Sequence, residues 1–140
     1  MIPTNQLGDL LIEINKYLKI KIERDFKSYG IGMGQLQILM VFYSNMDSHF
    51  SQNDLVKILS TDKGNISRSV AKLQEKNYLE FDATNARLYK LTTDGIALKT
   101  VITTSFISIN EAMVNGIDET ILDQTLMTLN KISKQLEAII

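Results

Sequence analysis

The chain has 140 residues, 44% hydrophobic and 22% charged, with a formal net charge of −1. That length and apolar share suit one folded domain and exclude a disordered polyelectrolyte. Cysteine is absent and His49 is the single histidine, which excludes disulfides, thiolate sites, thiol redox sensing and a polyhistidine metal site within one chain.

Leu7, Leu10, Leu11, Ile14, Leu18 and Ile22 recur at helical spacing and predict a first helix from about Asn5 to Lys27. Gly30, Gly32 and Gly34 break it. The spacing then predicts a second helix over about Gly34–Ser44, apolar almost all round and therefore buried, followed by a loop over Asn45–Phe50. Ser51 is a suitable N-cap for a short third helix, Gln52–Leu59, with Leu55, Ile58 and Leu59 inward. Ser60 and Thr61 form a turn into a fourth helix, about Asp62–Lys76, whose inward face is Ile66, Val70 and Leu73. Asn77, a residue that tolerates the left-handed conformation, stops it.

Tyr78–Ala83 and Arg87–Thr92 read as strands joined by Thr84-Asn85-Ala86, with Leu79 and Phe81 alternating against Glu80 and Asp82. A fifth helix runs from about Thr93, capped by Thr92 or Thr93, to about Asn115, where Gly116 ends it. Asp118 caps a sixth helix that continues to the C-terminus. Its apolar stripe, from Ile121 and Leu122 to Leu136 and Ile139, is wide for a helix with one partner. Long helices joined by short loops point to a core completed by dimerisation. Met1–Gly8 does not resemble a secretory leader and no apolar run spans a bilayer, so the expected location is cytoplasmic, with no membrane partner.

The expected fold class is mainly α with a small β-hairpin wing: a winged helix-turn-helix flanked by long dimerisation helices. The parts are a dimerisation helix (1–30), a winged helix-turn-helix (31–92) and C-terminal dimerisation helices (93–140), integrated in one chain. A helix projected by a tight turn fits the major groove of DNA. On the fourth helix, about 100° per residue places Gly64 and Arg68 opposite the inward face, with Asn65, Ser67 and Lys72 on its flanks. Arg reads guanine, Asn reads adenine, and small residues allow close approach. Lys63 and Lys72 can meet phosphates, and Ser51 and Gln52 can offer backbone amides to another. The alternative for the same face is an ordinary solvated surface. Residues 51–90 carry seven basic and five acidic side chains, whereas residues 93–140 carry three and six. The basic middle favours the DNA reading.

Ile31-Gly32-Met33-Gly34-Gln35-Leu36-Gln37-Ile38-Leu39 resembles the segment that opens the second helix in the MarR family. Ser51–Leu59 is similar to that family's third helix, and Asp62–Leu79, with its Ser67-Arg68 pair, to its recognition helix. Leu91-Thr92-Thr93-Asp94-Gly95 resembles the step from wing to fifth helix. The resemblance implies a transcriptional regulator, of repressor type, that binds double-stranded DNA. It implies a homodimer formed through helices near 5–27, 93–115 and 118–140, reading a palindromic operator. It also implies modulation by a small-molecule effector held between the dimerisation region and the winged domain. Tyr17, Met40, Phe42, Tyr43 and Phe106 are the candidate pocket residues, with core packing as their alternative role.

The chain departs from the family at the wing, which is short and offers Asn85 and Arg87 near its tip. Arg87 either enters the minor groove or pairs with Asp82 across the hairpin. Gly32 stands where the family has a capping Thr, and Gly is an acceptable N-cap. Without cysteine the chain is not a thiol peroxide sensor. Glu23, Asp25 and His49 could join a zinc site only across chains, against an ordinary surface role. No nucleophile–base–acid set is present, and Gly30, Gly32 and Gly34 follow no strand, so neither an enzyme nor a cofactor is expected. A winged-helix protein-interaction module without sequence-specific DNA binding is the second reading, motivated by the −1 charge and short wing.

Overall fold

The computed structural model describes residues 6–140, so Asn5, the expected start of the first helix, lies outside the described residues. The elements are α1 (Gln6–Phe26), a 3-10 turn (Lys27–Tyr29), α2 (Met33–Ser44), α3 (Gln52–Leu59), α4 (Lys63–Glu75), β1 (Leu79–Phe81), β2 (Tyr89–Leu91), α5 (Thr93–Val114) and α6 (Glu119–Ala138). The chain forms two compact units, one ending at Val101 and the other being Ile102–Ile140. Among the described residues, no helix is long and apolar enough to cross a membrane.

In the first unit, α2 is the central helix, with Leu36, Ile38, Leu39, Val41, Phe42 and Tyr43 buried. Phe42 meets Phe50 edge-on at 5.2 Å between centroids, an arrangement favoured by the ring quadrupoles. The start of α2 is capped from within: Gln35 Oε1 accepts the Gly32 N–H at 2.7 Å. The same buried amide donates to Ser69 Oγ of α4 at 3.3 Å. A Cβ on Gly34 would meet Ser69 Oγ at 2.6 Å, so the glycine permits this close crossing of α2 and α4.

Local chemistry sets the helix ends. Ser51 accepts the Asp54 N–H while Asp54 accepts the Ser51 N–H, a reciprocal cap on α3. Ser60 and Asn77 take positive φ, 50° and 63°, at the ends of α3 and α4. Asn77 thus stops α4 as its residue type predicts. Asp118 Oδ2 accepts the N–H groups of Thr120 and Ile121 and caps α6. Thr92, rather than Thr93, caps α5: its hydroxyl accepts the Gly95 N–H and donates to the Asn77 carbonyl at 2.6 Å.

The strands are three residues each, shorter than Tyr78–Ala83 and Arg87–Thr92, with Leu79, Glu80 and Phe81 opposite Leu91, Lys90 and Tyr89. Side-chain bonds take over the backbone beyond them. Asp82 accepts from the Thr84 N–H and hydroxyl, and Asn85 accepts from the Arg87 N–H, closing local turns in place of a ladder. Phe50, expected in a loop, pairs with Tyr89 through two backbone hydrogen bonds and adds an isolated single-residue bridge beside β2.

One inward assignment fails. Ile58 is 51% exposed, because α3 buries chiefly Leu55. Phe81 is 49% exposed at the outer end of the hairpin, covered on one side by the Tyr89 ring at 4.9 Å. Half of the α1 stripe is also uncovered: Leu7, Leu10 and Ile14 are exposed, Leu11 and Leu18 are half-buried, and Ile22 is buried, as is Phe26. In the second unit Ile102 and Ile109 are buried, and α6 buries no residue.

A Cβ at Gly95 would collide with the Tyr78 carbonyl oxygen, backbone that cannot swing aside. Gly95→Ala is therefore expected to destabilise the chain by about 1–3 kcal/mol, read as a lower urea midpoint. An unchanged midpoint would show that the β1–α5 junction yields.

Candidate functional site

The outward face of α4 is the most organised polar surface of the first unit. Ile66, Val70 and Leu73 are buried together with Ser69, which leaves Lys63, Gly64, Asn65, Ser67, Arg68 and Lys72 exposed. The periodicity argument therefore places every candidate of this helix on its solvent side.

Two of these residues, Asn65 and Arg68, form a chain with the cap Asp62. Asp62 Oδ1 accepts the Asn65 backbone N–H at 2.7 Å, and Asp62 Oδ2 accepts Asn65 Nδ2 at 2.8 Å. Asn65 Oδ1 in turn accepts from Arg68 Nη2 at 2.6 Å. The Arg68 side chain lies back toward the helix start, the direction in which long helical side chains point. A Cβ on Gly64 would come within 3.1 Å of Arg68 Nη1 and 3.2 Å of Asp62 Oδ1, so the glycine leaves room for the folded-back arginine. Among the described residues, the ammonium groups of Lys63 and Lys72 have no partner. An open cleft of about 220 Å³ lies beside this face, lined by Gly34, Gln37, Leu59, Thr61, Asn65, Ile66 and Ser69.

The two candidates on α3 are engaged in other ways. The Ser51 amide already donates to the Asp54 carboxylate, which a phosphate would have to displace. Gln52 donates through Nε2 to the Tyr89 hydroxyl at 3.1 Å and so ties α3 to the hairpin.

The hairpin carries a contact the sequence did not reveal. His49, before α3, pairs with Asp82 at the end of β1. The Thr84 backbone N–H, the Thr84 hydroxyl and then His49 hold the Asp82 carboxyl down, from its ordinary 3.8 to about 2. Asp82 is thus occupied, and the expected alternative pairing with Arg87 does not form. Asn85 and Arg87 are exposed, and among the described residues the Arg87 guanidinium has no partner. Asp25 pairs with Lys21 at 2.9 Å.

The pocket candidates divide. Phe42 is buried core. The Tyr43 hydroxyl donates to the Gly95 carbonyl at 2.7 Å, and burial, followed by nearby Tyr78, pushes its phenol well above the usual range. Tyr17 and Met40 are exposed, and Phe106, in the second unit, is half-buried.

Helix, tight turn, exposed helix and antiparallel hairpin, in that order, define a winged helix-turn-helix protein. Residues 29–88, which contain the helix-turn-helix and the start of the wing, match the family model described as the MarR family. The whole chain is similar in fold to a MarR transcriptional regulator of Methanosarcina mazei Go1, with 22% identity, a TM-score of 0.88 and coverage of 100% of this chain and 95% of that one. It is also similar to S. aureus MepR, solved in complex with DNA, at 24% identity and TM-score 0.79 over 96% of this chain and 99% of that one. A MarR/EmrR family transcriptional regulator from Acinetobacter sp. ADP1 shares 27% identity at TM-score 0.76, over 98% of this chain and 99% of that one. No curated protein sequence matches the chain.

The depressed Asp82 carboxyl links the wing to pH. A group lowered in the folded state stabilises it above the unfolded pKa, and that contribution fades as pH falls from about 4 toward 2. The stability gap between the wild type and Asp82→Asn should therefore be full at pH 5–7 and close over that acid window, as followed by urea unfolding. A gap independent of pH would mean that the Asp82 charge contributes nothing to the fold.

Proposed function

We propose that the chain is a homodimeric, sequence-specific regulator of transcription, a repressor that reads a palindromic operator in double-stranded DNA with α4. One observation carries the reading: the small and polar first half of α4 is exposed, with cations at Lys63 and Lys72 that have no partner among the described residues. A projecting helix with this face fits the major groove, its N-terminal residues nearest the bases. MepR, similar in fold, is a DNA-binding example of the same architecture. The −1 net charge is no obstacle, because the charge that matters is local to residues 51–90.

The second copy is supported by apolar side chains that one chain leaves exposed: Leu7, Leu10 and Ile14 on α1, and Ile121, Leu126 and Leu136 on α6. Two-fold symmetry then calls for half-sites about one helical turn, roughly 10 bp, apart. The exposed Arg87 at the wing is a cation for the backbone or minor groove beside each half-site. An effector acts in this reading by preferring one separation of the two reading heads. Tyr17 and Met40 are the candidates exposed enough to meet it in a single chain.

The test is selection from random duplexes at two salt concentrations, followed by titration of the best sequence. A two-fold symmetric motif is expected. Lys63→Ala and Lys72→Ala should each weaken all sequences alike and lower the salt slope of log K by about 1. Unchanged slopes in both variants would remove these lysines from the interface, and absence of any motif would overturn sequence-specific reading.

A further inference from the structure

We propose that Asn65 does not read a base but is a positioning residue, which holds Arg68 as the guanine reader of each half-site. This inference rests on the DNA-binding reading above.

Asn65 has the residue type that recognises adenine through a bidentate pair, one amide oxygen accepting and one amide nitrogen donating. Both groups are already engaged, the nitrogen by Asp62 and also by the Thr61 hydroxyl at 3.4 Å, the oxygen by Arg68. Asp62 is acceptor-only as a carboxylate and takes the Asn65 nitrogen at 2.8 Å. Arg68 is donor-only and takes the oxygen at 2.6 Å. The two neighbours demand the same orientation of the amide, so nothing is gained by flipping it. Asp62 is itself fixed, since its other oxygen caps the helix at the Asn65 backbone N–H. An adenine pair would compete for the same amide oxygen and nitrogen that Arg68 and Asp62 already engage.

Arg68 has spare capacity. Its guanidinium carries five N–H donors, and the Asn65 contact uses the Nη2 group. Guanine offers two acceptors on its major-groove edge, which a guanidinium meets in a bidentate pair. The side chain lies back over Gly64, level with the first turn of α4, and that end of a recognition helix stands closest to the base edges. Ordering it before binding removes entropy otherwise lost in the complex. The Asp62–Asn65–Arg68 chain therefore works as a preset: the helix cap orients an amide, and the amide orients the reader.

The experiment is a base-by-base specificity profile of the full-length protein and its variants, by selection and competition binding on duplexes, with thermal melting as a control for folding. Arg68→Ala is expected to erase a guanine preference at one position per half-site, by about 5- to 150-fold. Asn65→Ala should retain the same guanine preference, reduced about 2- to 10-fold, and should change no other position. Asp62→Asn keeps a capping oxygen and should fall between the wild type and Asn65→Ala at that same position. Loss of an adenine preference in Asn65→Ala, with guanine untouched, would overturn the assignment while leaving DNA reading intact. So would an Arg68→Ala profile identical to wild type. A wild type that selects no motif overturns the DNA reading and this assignment together.

Discussion

The close crossing of α2 and α4 sets the geometry on which the candidate interface depends. Gln35 lies at that crossing and serves both helices, accepting the free Gly32 N–H and donating to Ser69. Gly34 permits the approach because any Cβ there would press on the Ser69 hydroxyl. With Ser69, Ile66, Val70 and Leu73 turned onto α2 and its neighbours, helical geometry leaves the opposite face of α4 in solvent. The exposed polar surface is thus the consequence of a buried contact. A buried amide bonded on both sides also holds one arrangement of the pair, since breaking it would strand polar groups away from water.

The hairpin is held by a different kind of force. Its ladder is three residue pairs long, too little for an isolated hairpin to be stable in water. The rest comes from outside the ladder: the Phe50–Tyr89 rung, the Gln52–Tyr89 hydrogen bond and the His49–Asp82 pair tie it to the segment before α3 and to the start of α3. At its other end, Thr92 and Asn77 join the hairpin to the end of α4 and the start of α5. The wing base is therefore anchored to both helices of the helix-turn-helix, and Arg87 projects from an anchored turn.

Low sequence identity with a shared fold follows from the same forces. The regulators of Methanosarcina mazei and Acinetobacter share 22% and 27% of residues with this chain across nearly its whole length. What the fold requires is an apolar period on each helix, a tight α2–α4 contact and suitable caps, and many residue choices meet those needs. The outward residues of α4 are under none of these constraints, so that face can vary without cost to the fold.

By itself the sequence determined the features that local chemistry controls. Helical periods located α1 to α6, Ser51 and Asp118 marked helix starts, and Asn77 and Gly116 marked helix ends, because caps and left-handed residues act within a few positions of themselves. The outward set on α4 was legible for the same reason: once one face is inward, a 3.6-residue period assigns the other. Tertiary structure decided whatever depends on residues distant in the chain. It left Ile58 exposed, although its spacing suited an inward face, because α3 buries chiefly Leu55. It brought His49 to Asp82 and so denied that carboxylate to Arg87. It also showed the Asn65 amide already committed on both sides. Composition names the donors and acceptors of a side chain, but their use depends on which partners the folded chain brings within hydrogen-bond distance.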